Sequence, residues 1–329
     1  MTEPIATESL NASFEDLEQH RPELIGYAYR MLGSTFEAED AVQETLVRAW
    51  RAVDGFEGRS SLRTWLYRIA TNVCFDMLKG RQRRARPMDL GPASTADSVL
   101  PPPLPEITWI EPIPDRLLLP PGADPAEIAV ARESVRLALM TALQRLPARQ
   151  RAALILCEVL RWKAEEVAEL LETTVASVNS ALQRARATLS ESPPAETDPF
   201  LPMDKAQEAL LARYVEAFER YDLDSLVSLL HQDVVQSMPP YQLWLQGPDQ
   251  VRGWFLGAGI GCRDSVVVPV EPANGSPAFG QYKPGDEGGH VPWSIHVLEI
   301  SDGRITGLNY FLDTTRLFPV FGLPLVYQG

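Results

Sequence analysis

Ala38-Glu39-Asp40-Ala41-Val42-Gln43-Glu44-Thr45-Leu46-Val47-Arg48-Ala49-Trp50 is the stretch from which the organisation of the chain is read. Ala38, Ala41, Val42, Leu46, Ala49, Trp50 and Val53 recur at three- and four-residue spacing, which predicts a helix with these residues on one buried face. Glu37, Asp40 and Glu44 cluster on its outer face, which is left to a basic partner or to water. Ser34-Thr35-Phe36-Glu37 is a capping-box pattern that opens this helix. Upstream, Phe14, Leu17, Leu24, Ile25, Ala28, Met31 and Leu32 keep the same spacing. Downstream, Ser60-Ser61 caps a third helix with Leu62, Trp65, Leu66, Ile69, Val73, Met77 and Leu78 inward. Its other sides carry Arg63, Arg68, Asn72 and Asp76, and its end holds Lys79, Arg81, Arg83, Arg84 and Arg86. That basic run reads either as a helix C-terminus answering its own dipole or as a phosphate-contacting edge beside groups able to meet unstacked bases.

Proline then breaks the pattern. Eleven of the 28 prolines fall between Pro87 and Pro125, including Pro101-Pro102-Pro103 and Pro120-Pro121, and such a segment cannot hold a long helix. Helical spacing resumes at about residue 127 and runs to 191, until a second break at Ser192-Pro193-Pro194, Pro199 and Pro202. Within this block residues 163–171 and 174–189 form a helix, a short turn and a second helix, with Val167, Ala168, Leu171, Val175, Val178 and Leu182 inward. A helix-turn-helix places its second helix in the major groove, so Ala176, Ser177, Asn179, Ser180 and Gln183 are candidates for base edges, with Arg184 and Arg186 nearer the phosphates. A plain antiparallel helical hairpin has the same apolar pattern.

Composition bounds the rest. The 329 residues carry 30 Lys+Arg against 44 Asp+Glu, net −14, with 45% hydrophobic residues, which suits a globular chain of two or three domains. The acid is concentrated: residues 88–126 are net −5 and residues 193–329 net −9, whereas residues 1–87 and 127–192 are close to neutral. No run approaches the ~20 apolar residues of a membrane helix, and residues 1–13 lack a basic stretch and an apolar core, so the expectation is a cytoplasmic protein without a signal peptide. Cys74, Cys157 and Cys262 are far apart, with no CxxC pair, so no metal and no disulfide is expected.

The stretch 38–50, and Leu62-Arg63-Thr64-Trp65-Leu66-Tyr67-Arg68-Ile69-Ala70-Thr71-Asn72 with Asp76 and the basic run after it, closely resemble conserved region 2 of the extracytoplasmic-function sigma factors of bacterial RNA polymerase. Leu146-Pro147 and the segment ending Ser177-Val178-Asn179-Ser180-Ala181-Leu182-Gln183-Arg184-Ala185-Arg186 resemble their region 4. The resemblance implies two all-α sigma domains, a region 2 helical bundle at residues 10–86 and a region 4 helix-turn-helix at 127–191, joined by a Pro-rich linker at 87–126. It implies as partners the polymerase core, through the largest-subunit clamp helices and the flap, and promoter DNA, with no cofactor. Glu37, Asp40 and Glu44 stand where the core contact falls; Trp65, Tyr67, Arg68, Asn72, Lys79, Arg81, Arg83 and Arg84 stand where the minus-10 strand is held; Ser177, Asn179, Ser180, Gln183, Arg184 and Arg186 stand where the minus-35 element is read. Asn179 and Ala181 replace the Lys and Arg of many relatives, so the recognition helix is weakly basic, and Glu172 replaces a common turn Gly. The linker is longer than the family's usual tether, and Trp109-Ile110-Glu111-Pro112-Ile113-Pro114-Asp115 resembles a subset with an extra C-terminal domain.

Residues 203–329 fit such a domain. Leu210, Leu211, Tyr214, Val215, Phe218 and Tyr221 predict an amphipathic helix, a shorter one spans 226–230, and strands are expected at 234–238, 265–270, 294–300 and 305–312. Helices followed by a curved sheet, with Tyr214-Val215-Glu216-Ala217-Phe218 and Ser237-Met238-Pro239-Pro240, resemble the α+β SnoaL-like, nuclear transport factor 2-like cone. Tyr241, Trp244, Trp254, Trp293, His296, Tyr310 and Asp313 are candidates for lining a small-molecule pocket or for simple core. His231 reads as a helix end, while His296 and Asp313, expected in two strands, are a candidate His–carboxylate pair. The apolar, Pro-punctuated tail from Leu317 to Tyr327 is expected to dock, on this chain or on a partner. The expectation is a non-enzymatic sigma factor whose acidic C-terminal domain modulates activity in cis by contacting the sigma blocks and setting their separation. The alternative is a helix-turn-helix regulator with a ligand-sensing or enzymatic SnoaL-like domain; the bland reading of the acidity is solubility.

Overall fold

The computed structural model describes residues 14–56, 58, 60–118, 124–191, 197–199, 204–286 and 288–327. The side chain of Phe14, residues 1–13 and the break at 192–194 with Pro202 lie outside them. The helices are α1 (Phe14–Glu18), α2 (Arg21–Leu32), α3 (Thr35–Ala52), α4 (Leu62–Leu78), α5 (Pro125–Glu133), α6 (Leu137–Gln144), α7 (Ala148–Leu154), α8 (Ala164–Leu170), α9 (Val175–Glu191), α10 (Lys205–Glu219), α11 (Leu223–Ser228), α12 (Pro248–Leu256) and α13 (Thr314–Val320). Six strands, β1 (Leu230–Ser237), β2 (Trp244–Gln246), β3 (Val266–Ala273), β4 (Ser276–Pro284), β5 (His290–Ser301) and β6 (Arg304–Phe311), form a single sheet. Contacts divide the chain into two units, one drawn from residues 1–82, 117–122 and 142–193, the other from 83–116, 123–141 and 194–329. The Pro-rich stretch thus groups with the C-terminal residues.

The first unit is all-α, and its local signals act as read. Ser34 accepts the Glu37 N–H at 3.2 Å and Ser61 accepts the Thr64 N–H at 3.1 Å, so each cap satisfies a donor that the helix leaves open. Gly33 closes α2 in the left-handed region at φ 75°, where a Cβ is costly. Ala38, Ala41, Val42, Leu46 and Ala49 are buried along α3, but Trp50, expected inward, is 50% exposed. The buried face of α4 is Leu66, Tyr67, Ala70, Thr71, Val73 and Cys74, rotated from the purely apolar stripe. Hydrogen bonding explains the rotation: the Tyr27 and Thr71 hydroxyls lie 2.8 Å apart and Tyr67 Oη donates to Glu23 at 3.2 Å, so polar tips are satisfied inside.

In the second unit the strand order is β2-β1-β6-β5-β4-β3, antiparallel except for the β1–β6 pair, with α10, α11 and α12 supplying core residues such as Tyr214, Phe218, Leu226, Trp254 and Phe255. Two strands were not expected. β2 is three residues long, and β4 buries seven consecutive residues from Ser276 to Tyr282, so it shows no alternation to read. His231, expected to end a helix, lies in β1, which begins earlier than predicted. Asp313, expected in a strand, is instead the N-cap residue of α13. The tail docks on its own domain: Leu317, Phe318 and Phe321 are buried, and the Tyr327 ring lies 4.9 Å from that of Tyr282, whose hydroxyl donates to Pro324 O at 2.9 Å.

Residues 83–116 form a strap with no helix longer than a single 3-10 turn. It is tied down along its length. Ala85 pairs with Trp109 in a parallel bridge, Ser94 N–H donates to Trp244 O at 2.8 Å, Ala96 N–H to Gln250 Oε1 at 2.8 Å and Leu104 N–H to Pro240 O at 2.9 Å. Prolines lack the N–H and have little backbone freedom to lose, so an extended Pro-rich segment docks with few donors to satisfy. Its far end is fastened by two buried polar residues. Asn274 exchanges bonds with Ile113, N–H to carbonyl and Oδ1 from N–H, each at 3.0 Å, and donates to Val135 O at 2.6 Å; Asp115 accepts from Gly275 N–H at 2.9 Å and Arg132 Nε at 2.7 Å. Asn274 also sits at φ 53°, which Asn tolerates better than most residues. Asn274→Ala leaves the Ile113 N–H and the Val135 carbonyl unpaired and is expected to cost about 3 kcal/mol. Urea unfolding checks this, with faster proteolysis between residues 87 and 116 as the accompanying signature.

Candidate nucleic-acid interfaces and a cavity in the C-terminal unit

The helix-turn-helix is α8, a four-residue turn (Leu171 to Thr174) and α9. Val167, Ala168, Leu170, Val178, Leu182 and Ala185 pack inward, and Thr173 N–H closes the turn on Ala168 O at 2.9 Å. Thr174 Oγ1 accepts the Ser177 N–H at 3.2 Å and starts α9. Ala176, Ser177, Asn179, Gln183, Arg184 and Arg186 are exposed, and Ser180 is half-buried. The two arginines are engaged within the chain: Arg184 donates to Ser180 Oγ at 2.6 Å, and Arg186 pairs with Glu158. Glu172, exposed where a glycine is common in relatives, is held at φ 51°. Glu172→Gly is therefore expected to stabilise the unit by about 1 kcal/mol, because glycine adopts this geometry without a Cβ clash. A rise in the melting temperature of the full chain checks this.

The residues proposed for the minus-10 strand do not share one surface. Trp65 is half-buried with its ring 5.0 Å from Phe56, Asn72 is exposed, and Arg68 pairs with Glu169 of α8 at 3.3 Å. Tyr67 is fully buried, its ring 5.2 Å from Tyr27 and 5.1 Å from Trp162, so in this structure its assignment to DNA is corrected to core. Arg63, not singled out from the sequence, lies over both the Tyr67 and Trp162 rings and bonds Glu23 at 2.7 Å. In the basic run Lys79 binds Asp76 at 2.7 Å, Arg81 pairs with Glu37, and Arg83 is exposed. Arg84 is buried and donates to the carbonyls of Glu106 and Trp109 at 2.9 and 2.6 Å; it fastens the strap and its assignment to DNA is likewise corrected. Of the acidic set, Asp40 is exposed, Glu44 binds Arg48 at 2.7 Å and Glu37 holds Arg81, so the face is partly neutralised by the helices around it.

In the C-terminal unit Tyr241, Trp254, Trp293 and Tyr310 line a cavity of about 240 Å3 together with Gln236 of β1 and with Gln281 and Lys283, which the sequence reading missed because β4 was hidden. Three expected members lie elsewhere. Trp244 donates its indole N–H to Gly91 O at 2.9 Å and holds the strap. Asp313 lies beside Arg316 at 3.3 Å. His296 is fully buried behind the cavity wall, with Nδ1 2.9 Å from Tyr214 Oη and Nε2 3.0 Å from Gln281 Oε1, so the expected His–carboxylate pair is not formed. Among the described residues no carboxylate lines the cavity, no group of His, Cys, Asp and Glu is placed to hold a metal, and no helix is long and apolar enough to cross a membrane.

Family models match in the order of these elements: Sigma-70 region 2 at residues 17–84, Sigma-70 region 4 at 136–189 and the SnoaL-like domain at 211–308. A helical region that binds polymerase, a helix-turn-helix and an appended cone define a sigma factor of the Sigma-70 class. The chain belongs to the extracytoplasmic-function (ECF) RNA polymerase sigma factors. It is similar to the ECF RNA polymerase sigma factor SigG of Mycobacterium tuberculosis, 46% identical over 93% of this chain and 82% of that one. SigJ of the same organism is 30% identical over 75% of this chain and 72% of its own, and the crystal structure of SigJ superposes with a TM-score of 0.58 at 26% identity, covering 95% of this chain and 98% of that one.

Burial lowers the pKa of His296 to about 3. The unfolded chain takes up that proton near its ordinary value of 6.5, so between these limits the unfolded state binds more protons and stability falls as the pH falls. The C-terminal unit is expected to lose about 1.4 kcal/mol for each pH unit below roughly 6 through this residue alone. His296→Gln should flatten the profile by that amount, as read by urea unfolding at pH 5 and 7.5.

Proposed function

We propose that this sigma factor reads the minus-35 element with the exposed face of α9, centred on Ser177, Asn179 and Gln183, and contacts the minus-10 strand through Trp65, Arg68, Asn72, Lys79, Arg81 and Arg83. Asp40, with Glu37 and Glu44, is the contact to the core polymerase, and the protein acts in the cytoplasm, where that polymerase is. The C-terminal domain is a modulator in cis and not an enzyme. The observation that carries this last reading is the strap: residues 83–116, which connect the two sigma regions in the chain, are hydrogen-bonded to the C-terminal domain from Ser94 to Asp115. A tether held in this way has a length set by the domain, and tether length sets the effective concentration of one binding module at its site once the other is engaged.

Run-off transcription on fragmented genomic DNA with core polymerase tests both parts. Asn179→Ala with Gln183→Ala is expected to reduce discrete starts about tenfold, with binding to core unchanged. Trp244→Phe with Gln250→Leu removes two strap bonds and is expected to change transcript yield at least about threefold from the same promoters. Identical transcription from this pair and the parent would remove the role in cis while leaving the promoter assignments intact.

A further inference from the structure

The cavity described above has largely aromatic walls, and two of its polar lining residues, Lys283 and Gln236, set its chemistry. Phe218, Trp254, Phe255 and Trp293 supply flat apolar surface, and Leu100 of the strap contributes to the lining. Lys283 is the lone basic side chain among the described lining residues; its ammonium sits 3.5 Å from the centroid of the Trp293 ring, which fixes the charge over the indole. No aspartate or glutamate is in that lining to act as base or counter-ion.

The second feature is Gln236. Its side chain is wholly buried, and among the described residues its Nε2 meets Met238 Sδ at 3.9 Å and its Oε1 has no partner. Gln281, in the same lining, shows the contrast. Its Oε1 accepts from Ser294 Oγ at 2.8 Å and lies 3.0 Å from His296 Nε2, while its Nε2 donates to Ser265 Oγ at 2.9 Å. Buried amide oxygens are almost always paired, so an orphan that lines a cavity marks a place where a donor from outside belongs.

We propose that this cavity binds a small hydroxylated aromatic carboxylate. The ring lies among the aromatic walls, the carboxylate is held by Lys283, and the hydroxyl donates to Gln236 Oε1. Size agrees: an apolar cavity of roughly 150 Å3 accepts benzene, so about 240 Å3 accommodates one or two fused rings. Charge agrees as well, because a cation without a carboxylate in the same lining favours a monoanion over a neutral or cationic guest. The inference rests on the lining alone and is independent of the promoter assignments.

The test is calorimetric titration of the full chain with 6-hydroxy-2-naphthoate, 2-naphthoate and 6-hydroxy-2-naphthamide. Saturable one-site binding of the hydroxynaphthoate is expected, about tenfold tighter than that of the amide. Lys283→Met should abolish the preference for acid over amide and Lys283→Arg should retain it. Gln236→Leu should abolish the preference for the hydroxylated acid over 2-naphthoate. Circular dichroism and the melting temperature confirm that each variant is folded, and the Arg variant keeps the charge assignment testable if the Met variant is not. Non-saturating uptake, equal affinity for acid and amide, or a Lys283→Met variant with undiminished acid preference would overturn the proposal. None of these readouts involves transcription, so failure here and failure of the role in cis are separate results.

Discussion

The guanidinium of Arg151 is the interaction on which the all-α unit depends. It is 4% exposed, and its two terminal nitrogens donate to the carbonyls of Met31, Gln144 and Leu146 and to Gln144 Oε1. Met31 belongs to α2 in the first sigma region, while the other acceptors belong to the end of α6 and the chain after it, so one side chain joins the two regions. Burial draws its pKa down to about 10, which leaves it charged at neutral pH, and a buried cation is tolerated only where nearby oxygens replace its water. Between the same two regions Tyr67 and Arg63 stack with Trp162, and Arg68 meets Glu169. Of the α4 groups expected at the minus-10 strand, Tyr67 and Arg68 thus meet the second sigma region, while Trp65 packs on Phe56 and Asn72 is exposed. Every acceptor of Arg151 is a carbonyl that water can also satisfy, and its Nε has no partner among the described residues, so separating the two regions exchanges these bonds for bonds to water.

The second unit is organised by its strap in a different way. Prolines deny residues 83–116 any long helix, yet the segment is ordered by bonds from some of its backbone N–H groups and by the buried pair Asp115 and Asn274. Burial pushes the Asp115 carboxyl up, and the Gly275 N–H and Arg132 oppose that shift, so the carboxylate is held by donors on both oxygens. The linker between the sigma regions is in this sense part of another domain.

Much of this was legible in the sequence, and the failures have physical causes. Apolar spacing located α2, α3, α4, α8 and α9 within a few residues, and α3, α4 and α9 also begin on recognisable caps at Ser34, Ser61 and Thr174. The inward turn of Tyr67 was hidden because its ring is core while its hydroxyl marks it as polar. Arg84 was read as a basic edge because spacing does not reveal carbonyls brought in from Glu106 and Trp109. β4 has no alternation since both of its faces are covered, so Gln281 and Lys283 went unnoticed. The ordering of the strap was invisible for a related reason: proline content reports what a segment cannot form by itself, not what another domain will hold.

The weakly basic recognition helix follows from these constraints. Asn179 and Ala181 carry no charge, Arg184 is bonded to Ser180 and Arg186 to Glu158, so α9 brings little free positive charge to a phosphate backbone. Non-specific affinity for DNA scales with the number of phosphates neutralised, so a helix of this kind reads base edges while adding little to binding strength. The affinity must then come from the rest of the assembly, through the polymerase and the first sigma region. On the proposed reading, the contribution of α9 would be fixed by how often the tether presents it to its site. Under the role in cis proposed above, that effective concentration would decide occupancy, and a domain that grips the tether would have leverage that it would lose over a strongly basic helix.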